Sequence, residues 1–187
     1  MGPSDLPHLT LAAVHPEGLA CRFDPSRWIG EGWIGCIYLG NGRFLWGRFR
    51  QVDAVAINCI FSPDSDAESL SLCPGESYPY LDGYWGQRAE LVLAEDRSWE
   101  RRRFQPSDAV RYPVEGGNWL APQATEASPP GGEVVPDGWE HEHCNICWEK
   151  IAEYAQLEGY FSEPNKWVCK QCFSNFVAPR SIAFVNW

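Results

Sequence analysis

Four cysteines constrain this chain more than any other feature. Cys144-Asn145-Ile146-Cys147 is followed, after 21 intervening residues, by Cys169-Lys170-Gln171-Cys172. Each C-x-x-C turn can aim two sulfurs at a point roughly 2.3 Å away, and two such turns close a tetrahedron around a metal ion. Pairs separated by about 15–20 residues read as a four-thiolate zinc site, and the spacing of 21 lies just beyond that range. We therefore expect Cys144, Cys147, Cys169 and Cys172 to hold one structural Zn2+. The ion would supply folding energy that a segment of about 45 residues cannot draw from its own core. The competing reading, a redox C-x-x-C, calls for a βαβ pattern that this stretch lacks.

The flanks fit the metal reading. Lys166–Cys169 reads as a short strand entering the second pair, with Gly159–Lys166 as a turn. Cys172–Val177 could begin a helix that Pro179 would end. A knuckle, a hairpin, then a second pair opening a short helix resembles a zinc-ribbon or treble-clef module over Glu142–Pro179. His141 and His143 precede the first pair. Histidine is a good zinc ligand, so His143 could replace a thiolate, but adjacent His143 and Cys144 would rarely both reach one ion. The expected role of the two histidines is to orient the knuckle. A catalytic zinc keeps an open position, which four thiolates would fill. Neither an H-E-x-x-H helix motif nor a zinc-deaminase signature occurs.

Ala121–Pro136 (APQATEASPPGGEVVP) has four prolines, two glycines and no aromatic residue, so it reads as a linker. It separates an expected β-rich domain (1–120) from an expected four-cysteine zinc module (137–187). The fold class expected is α+β, a mainly antiparallel β domain followed by the small module. Gly40-Asn41-Gly42 between Cys36–Leu39 and Arg43–Trp46 predicts a hairpin. Val52–Phe61 predicts a central strand covered on both faces. Ala89–Ala94 predicts another strand, and Ser98–Phe104 a polar edge strand. Leu72–Gly86 reads as a long loop, and no stretch of this domain shows helical period over three turns.

Charge narrows the partners. With 25 acidic and 15 basic side chains the net charge is −10, which repels a phosphate backbone and argues against nucleic acid. The one basic run is Arg101–Arg103. No apolar run approaches the roughly 18 residues of a membrane span, and the N-terminus lacks the basic region of a signal peptide. Thiolate ligands suit a reducing compartment, so a cytoplasmic location is expected. Cys36 and Cys59 sit in apolar surroundings and are expected to be buried, Cys73 exposed.

Nucleophile-elbow, Walker and dinucleotide-binding signatures are missing. Carboxylates near Tyr84, such as Asp82 and Glu90, leave open a hydrolase-type site in the β domain. Ten tryptophans suggest binding surfaces as well as core. The candidate partner surface combines Asp64, Asp66 and Glu68 with Tyr78, Tyr80, Tyr84 and Trp85.

Gly138, Trp139, His141, His143, Cys144, Cys147, Trp148, Gly159, Tyr160, Trp167, Cys169 and Cys172 together resemble the C-terminal zinc segment of small uncharacterised bacterial proteins. Some of those are suspected immunity proteins of polymorphic-toxin systems. The resemblance covers about residues 138–179 and implies a cytosolic protein that binds and blocks a co-encoded toxin. Acidity would complement a basic toxin such as a nuclease. The expected function is therefore non-catalytic and zinc-stabilised protein binding. The alternatives are the hydrolase-type enzyme and a zinc-ribbon adaptor contacting nucleic acid through Arg101–Arg103.

Overall fold

A computed structural model of the chain describes residues 6–15, 18–23, 33–52, 56–61, 72–122 and 131–186. It divides into two units, Met1–Asp96 with Phe176–Trp187, and Arg97–Asn175. Every pairing between named strands is antiparallel.

In the first unit six strands close a barrel: β1 (His8–His15), β2 (Gly18–Arg22), β3 (Trp33–Gly40), β4 (Arg43–Gln51), β5 (Ala56–Phe61) and β6 (Ser77–Asp82). They run in the order β1-β2-β5-β4-β3-β6, and closure leaves none of these six strands with a free edge to mispair. The β3–β4 hairpin turns where the sequence predicts, with Asn41 at φ 52° and Gly42 at φ 71°. Alternation then sorts β4: Leu45, Gly47 and Phe49 face inward, while Arg48 and Arg50 are exposed. The interior is filled by Leu9, Leu11, Leu19, Ile37, Leu45, Phe49, Ile57, Cys59 and Tyr80. Gly35 makes room for the Phe49 ring, because a Cβ there would lie 2.4 Å from Phe49 Cε2.

Two expectations for this unit are corrected. The strand at 52–61 is not covered on both faces: Ile57 and Cys59 point into the barrel, whereas Ile60 is 47% exposed. A closed barrel has only one interior, and the outer face of β5 is left open. The second correction is a helix, α1 (Gly83–Leu93), where a loop running to Gly86 and a strand at 89–94 are expected. The expected loop also contains β6. The Asp82 carboxylate accepts the Trp85 N–H at 2.8 Å and caps the helix. At the other end Arg180 donates to the Leu93 carbonyl, a cation placed where the helix dipole is negative. The buried face includes Gly86, Ala89, Val92 and Leu93. Gly86 is required there, since a Cβ would lie 2.5 Å from Cys36 Sγ. A helix that packs through glycine and alanine shows little apolar period in its sequence.

Asp82→Ala should lower the stability of this unit by about 1 kcal/mol, and Asp82→Ser should recover most of it. Urea unfolding checks both. An Asp82→Ala protein as stable as the parent would remove the cap.

The C-terminal segment also departs from expectation. Ile182 and Phe184 are fully buried, with Phe184 5.2 Å from Phe176 and 6.0 Å from Trp85 between ring centroids. Residues 176–186 thus complete the first unit rather than the cysteine module.

The second unit contains β7 (Glu100–Arg103), β8 (Ser107–Val114), β9 (Gly117–Ala121), β10 (Glu133–Trp139), β11 (His141–His143), β12 (Lys150–Ala152), β13 (Glu158–Ser162) and β14 (Lys166–Cys169). A short helix, α2 (Lys170–Cys172), runs into a wider π-helical turn over Phe173–Val177. The sheets are β10-β8-β9, β11-β12 and β14-β13-β7, around a core of Phe104, Ile151, Phe161 and Trp167. The expected boundary at 120/121 therefore moves to 96/97. Strand pairing across long sequence separations decides this: β7 pairs with β13, and β8 with β10. β10 begins inside the expected linker, and its Glu133 pairs with Arg111 at 2.7 Å. Linker residues 123–130 lie outside the described residues. Among the described residues no helix is long and apolar enough to cross a membrane.

Candidate metal centre

The β11–β12 hairpin carries the first cysteine pair in its turn, and the end of β14 leads the second into α2. This brings the sulfurs of Cys144, Cys147, Cys169 and Cys172 within 4.8 Å of one another. Four sulfurs each about 2.3 Å from a central ion stand about 3.8 Å apart. Cys147 Sγ and Cys169 Sγ are separated by 3.8 Å. Cys144, Cys169 and Cys172 are buried, while Cys147 reaches the surface. The set could hold one metal ion, with all four tetrahedral positions filled by the chain itself.

Electrostatics favour a cation here. The Cys169 and Cys172 thiols donate toward Cys144 and hold its pKa well below the usual thiol range. The same crowding pushes Cys172 up, chiefly through Cys144, and Cys169 up to about 12, again chiefly through Cys144. Without a cation the four sulfurs cannot all be thiolates, and a divalent ion at their centre reverses that balance. Backbone amides already face the sulfurs: Ile146 N–H donates to Cys144 Sγ at 3.5 Å and Cys172 N–H to Cys169 Sγ at 3.4 Å.

The first pair is shaped by its backbone. Cys144 N–H donates to the Glu149 carbonyl at 2.8 Å and Trp148 N–H to the Cys144 carbonyl at 2.9 Å. Trp148 adopts φ 66° to close the turn. Asn145 fastens this turn to β14: its N–H donates to the Trp167 carbonyl and its Oδ1 accepts the Trp167 N–H, both at 2.8 Å. Asn145→Ala should cost about 1–3 kcal/mol by leaving the Trp167 amide unpaired, and weaken metal binding about 10–100-fold. Competition with a chromogenic chelator reads the second effect, and unchanged affinity would make Asn145 a bystander.

His141 and His143 do not join the cluster, which among the described residues comprises the four cysteines alone. His143 Nδ1 lies 2.8 Å from the Trp148 carbonyl. A carbonyl only accepts, so Nδ1 carries the proton and donates, bracing the turn. His141 lies nearly parallel to Trp139, with centroids 6.4 Å apart. Its pKa is lowered, first by burial and then by Lys150 and His143.

Glu158 ties the second pair to the neighbouring strands, meeting Lys170 at 2.6 Å and Arg101 at 2.5 Å. These cations, Lys170 foremost, hold its carboxyl down to about 2. Arg101 pairs with Glu158, and Arg102 with Glu100 at 2.7 Å, while all three arginines are exposed.

The expected partner surface is only partly assembled. Tyr80 lies in the barrel core at 3% exposure and cannot contact a partner; as residue four of β6 its side chain faces inward. Tyr78 is half-buried and donates its hydroxyl to Glu76. Tyr84 is exposed and meets Trp85 edge-on at 4.8 Å, with the Arg88 guanidinium 3.6 Å above its ring. The length of β6 separates Tyr78 from this pair. Asp64, Asp66 and Glu68 lie outside the described residues. Of the carboxylates considered for acid/base work, Asp82 is occupied as a helix cap.

All eight cysteines are free. Cys36 and Cys59 are buried and Cys73 exposed, as expected, and burial pushes the Cys21 and Cys59 thiols up to about 12. Sequence reasoning missed Asn145 and Glu158. An amide inside a C-x-x-C was a readable signal, whereas the Glu158 pairing depends on tertiary contact. No protein-family model, curated protein or solved structure matches this chain.

Proposed function

We propose that the four cysteines hold one structural Zn2+ in a zinc-ribbon or treble-clef module, and that the protein is a non-catalytic, cytoplasmic binding protein. In its sharpest form it is an immunity-type protein of a bacterium that captures and neutralises a co-encoded toxin. The observation that carries the zinc reading is the sulfur cluster, with its 3.8 Å edge and four protein donors. Zinc prefers such thiolate sets, and a site with no open position is structural. Two further features support binding. The net charge of −10 suits a basic partner. Exposed aromatics, Tyr84 on α1 and Trp148 and Tyr154 beside the metal centre, are residue types that anchor interfaces.

The test is affinity capture of the tagged protein from its own host without chelator, followed by native mass spectrometry. One zinc per chain together with a stoichiometric basic protein is the expected result. Recovery of the zinc-loaded protein alone would overturn the binding reading. Within a captured complex, charge reversal at Asp64, Asp66 and Glu68, or Ala at Tyr84 and Trp85, should raise the dissociation constant about tenfold or more.

A further inference from the structure

The second unit carries a groove of about 400 Å3 lined in part by Phe104, Trp139, Phe161 and Trp167, with Glu142 and Glu163 among its polar residues. That volume lies within the range of sites that hold small groups, about 300–1,000 Å3. The aromatic walls are fixed. Trp167 meets Phe104 at 6.2 Å and Phe161 at 5.3 Å, both steeply inclined. Trp139 donates its indole Nε1–H to Glu142 Oε1 at 2.9 Å, which sets the indole and leaves Oε2 as an acceptor. The Glu163 backbone is pinned by Arg97, whose guanidinium donates to its carbonyl at 2.7 Å. Among the described residues the ion pairs engage Glu95, Glu100, Glu133 and Glu158, and neither Glu142 nor Glu163.

The Phe161 ring already carries this chain's Arg102 guanidinium at 4.1 Å, and the indoles of Trp139 and Trp167, with two carboxylates outside the ion pairs, are complementary to a further organic cation. We propose that this groove receives an arginine side chain of a protein partner. A cation is drawn to the face of an indole. A guanidinium is also planar, so it can lie along a ring while its fork of N–H donors meets a carboxylate, which an ammonium cannot do. The acidic chain would draw such a partner by long-range attraction. The groove is coupled to the metal centre through Trp167, which lines it and is hydrogen-bonded on both sides by Asn145. The proposal rests on the reading of this protein as a partner-binding protein and names where and how recognition occurs.

The experiment uses the full, metal-loaded chain. An acetylated and amidated Gly-Arg-Gly peptide is titrated while the Trp139 indole N–H resonance is followed, with the citrulline peptide as the neutral isostere. A saturable shift with the arginine peptide, and binding of the citrulline peptide weaker by about tenfold or more, is expected. The Glu142→Gln/Glu163→Gln double variant should lose a similar factor while keeping its metal and its amide spectrum. Equal binding of arginine and citrulline, arginine binding unaffected by the double variant, or lysine binding as tight as arginine would each overturn the assignment. The two readings fail separately. A protein partner captured equally by parent and double variant overturns the groove and leaves the binding reading standing. Specific arginine binding without any captured protein does the reverse.

Discussion

Chelation of a metal bound by the four cysteines should unfold the cysteine module at neutral pH. The apparent binding energy of a structural zinc ion is about 10–16 kcal/mol, as large as the whole net stability of a typical domain, about 5–15 kcal/mol. The core available to replace it is small: Phe104, Ile151, Phe161 and Trp167, with Trp139 packed against them. Chelation should therefore raise amide hydrogen exchange across 141–172, and Cys169→Ser should do the same without chelator. Cys147→His, at the exposed ligand, should retain metal with reduced affinity, because imidazole can replace a thiolate. Ligation requires thiolates, so protons compete with the ion and metal is lost as the pH falls. Metal content by elemental mass spectrometry and exchange by native mass spectrometry test these points together. A metal-free protein with the exchange pattern of the parent would mean that the cysteines pack as small apolar groups and that the ion is not structural.

Truncating the barrel core at Phe49→Ala costs about 3–5 kcal/mol. Phe49 is fully buried, and its ring lies 6.4 Å from Tyr80 in the barrel interior. Gly35 stands against the same ring, so a rigid backbone faces the cavity and collapse around it is limited. With a urea dependence of about 2 kcal/mol/M, the midpoint of the first unit should fall by about 2 M. Ile60→Ala is the control. Its side chain lies on the outer face of β5 at 47% exposure, and its loss should cost under about 1 kcal/mol. Strand register makes the two faces unequal, because a slip of one residue would exchange them. Equal destabilisation by the two substitutions would contradict the register in which Phe49 pairs with Cys59 and Arg48 with Ile60.

The candidate metal centre was the most legible part of the sequence. Cysteine spacing is local chemistry: two short turns each present two sulfurs wherever they are placed, and a cation bound by all four would favour the tertiary arrangement that joins them. The β3–β4 hairpin was legible for a similar reason, since Asn41 and Gly42 tolerate the positive φ that the turn needs. Helix α1 was not legible. Its inward face begins with Gly86 because Cys36 and Trp46 approach closely there, and this packing requirement interrupts the apolar stripe that would have announced a helix.

The partner surface shows the same limit. Tyr78, Tyr80, Tyr84 and Trp85 are neighbours in sequence, yet strand alternation and the start of α1 send Tyr80 into the core and Tyr84 to the surface. The unit boundary shows it too. Pro and Gly content marked 121–136 as a linker, but pairing of β10 with β8 and of β7 with β13 gathered residues 97–175 into one unit. The final segment, with Ile182 and Phe184 fully buried, returned to the first.

By itself the sequence determined the antiparallel β character, the acidity and the four cysteines of the candidate metal centre, because each depends on residue type and short spacing. Tertiary structure alone decided barrel closure, the helix, the division into units and the aromatic groove lined by Glu142 and Glu163. Those depend on which distant strands exchange hydrogen bonds, a choice set by burial summed over the whole chain rather than by any local run of residues.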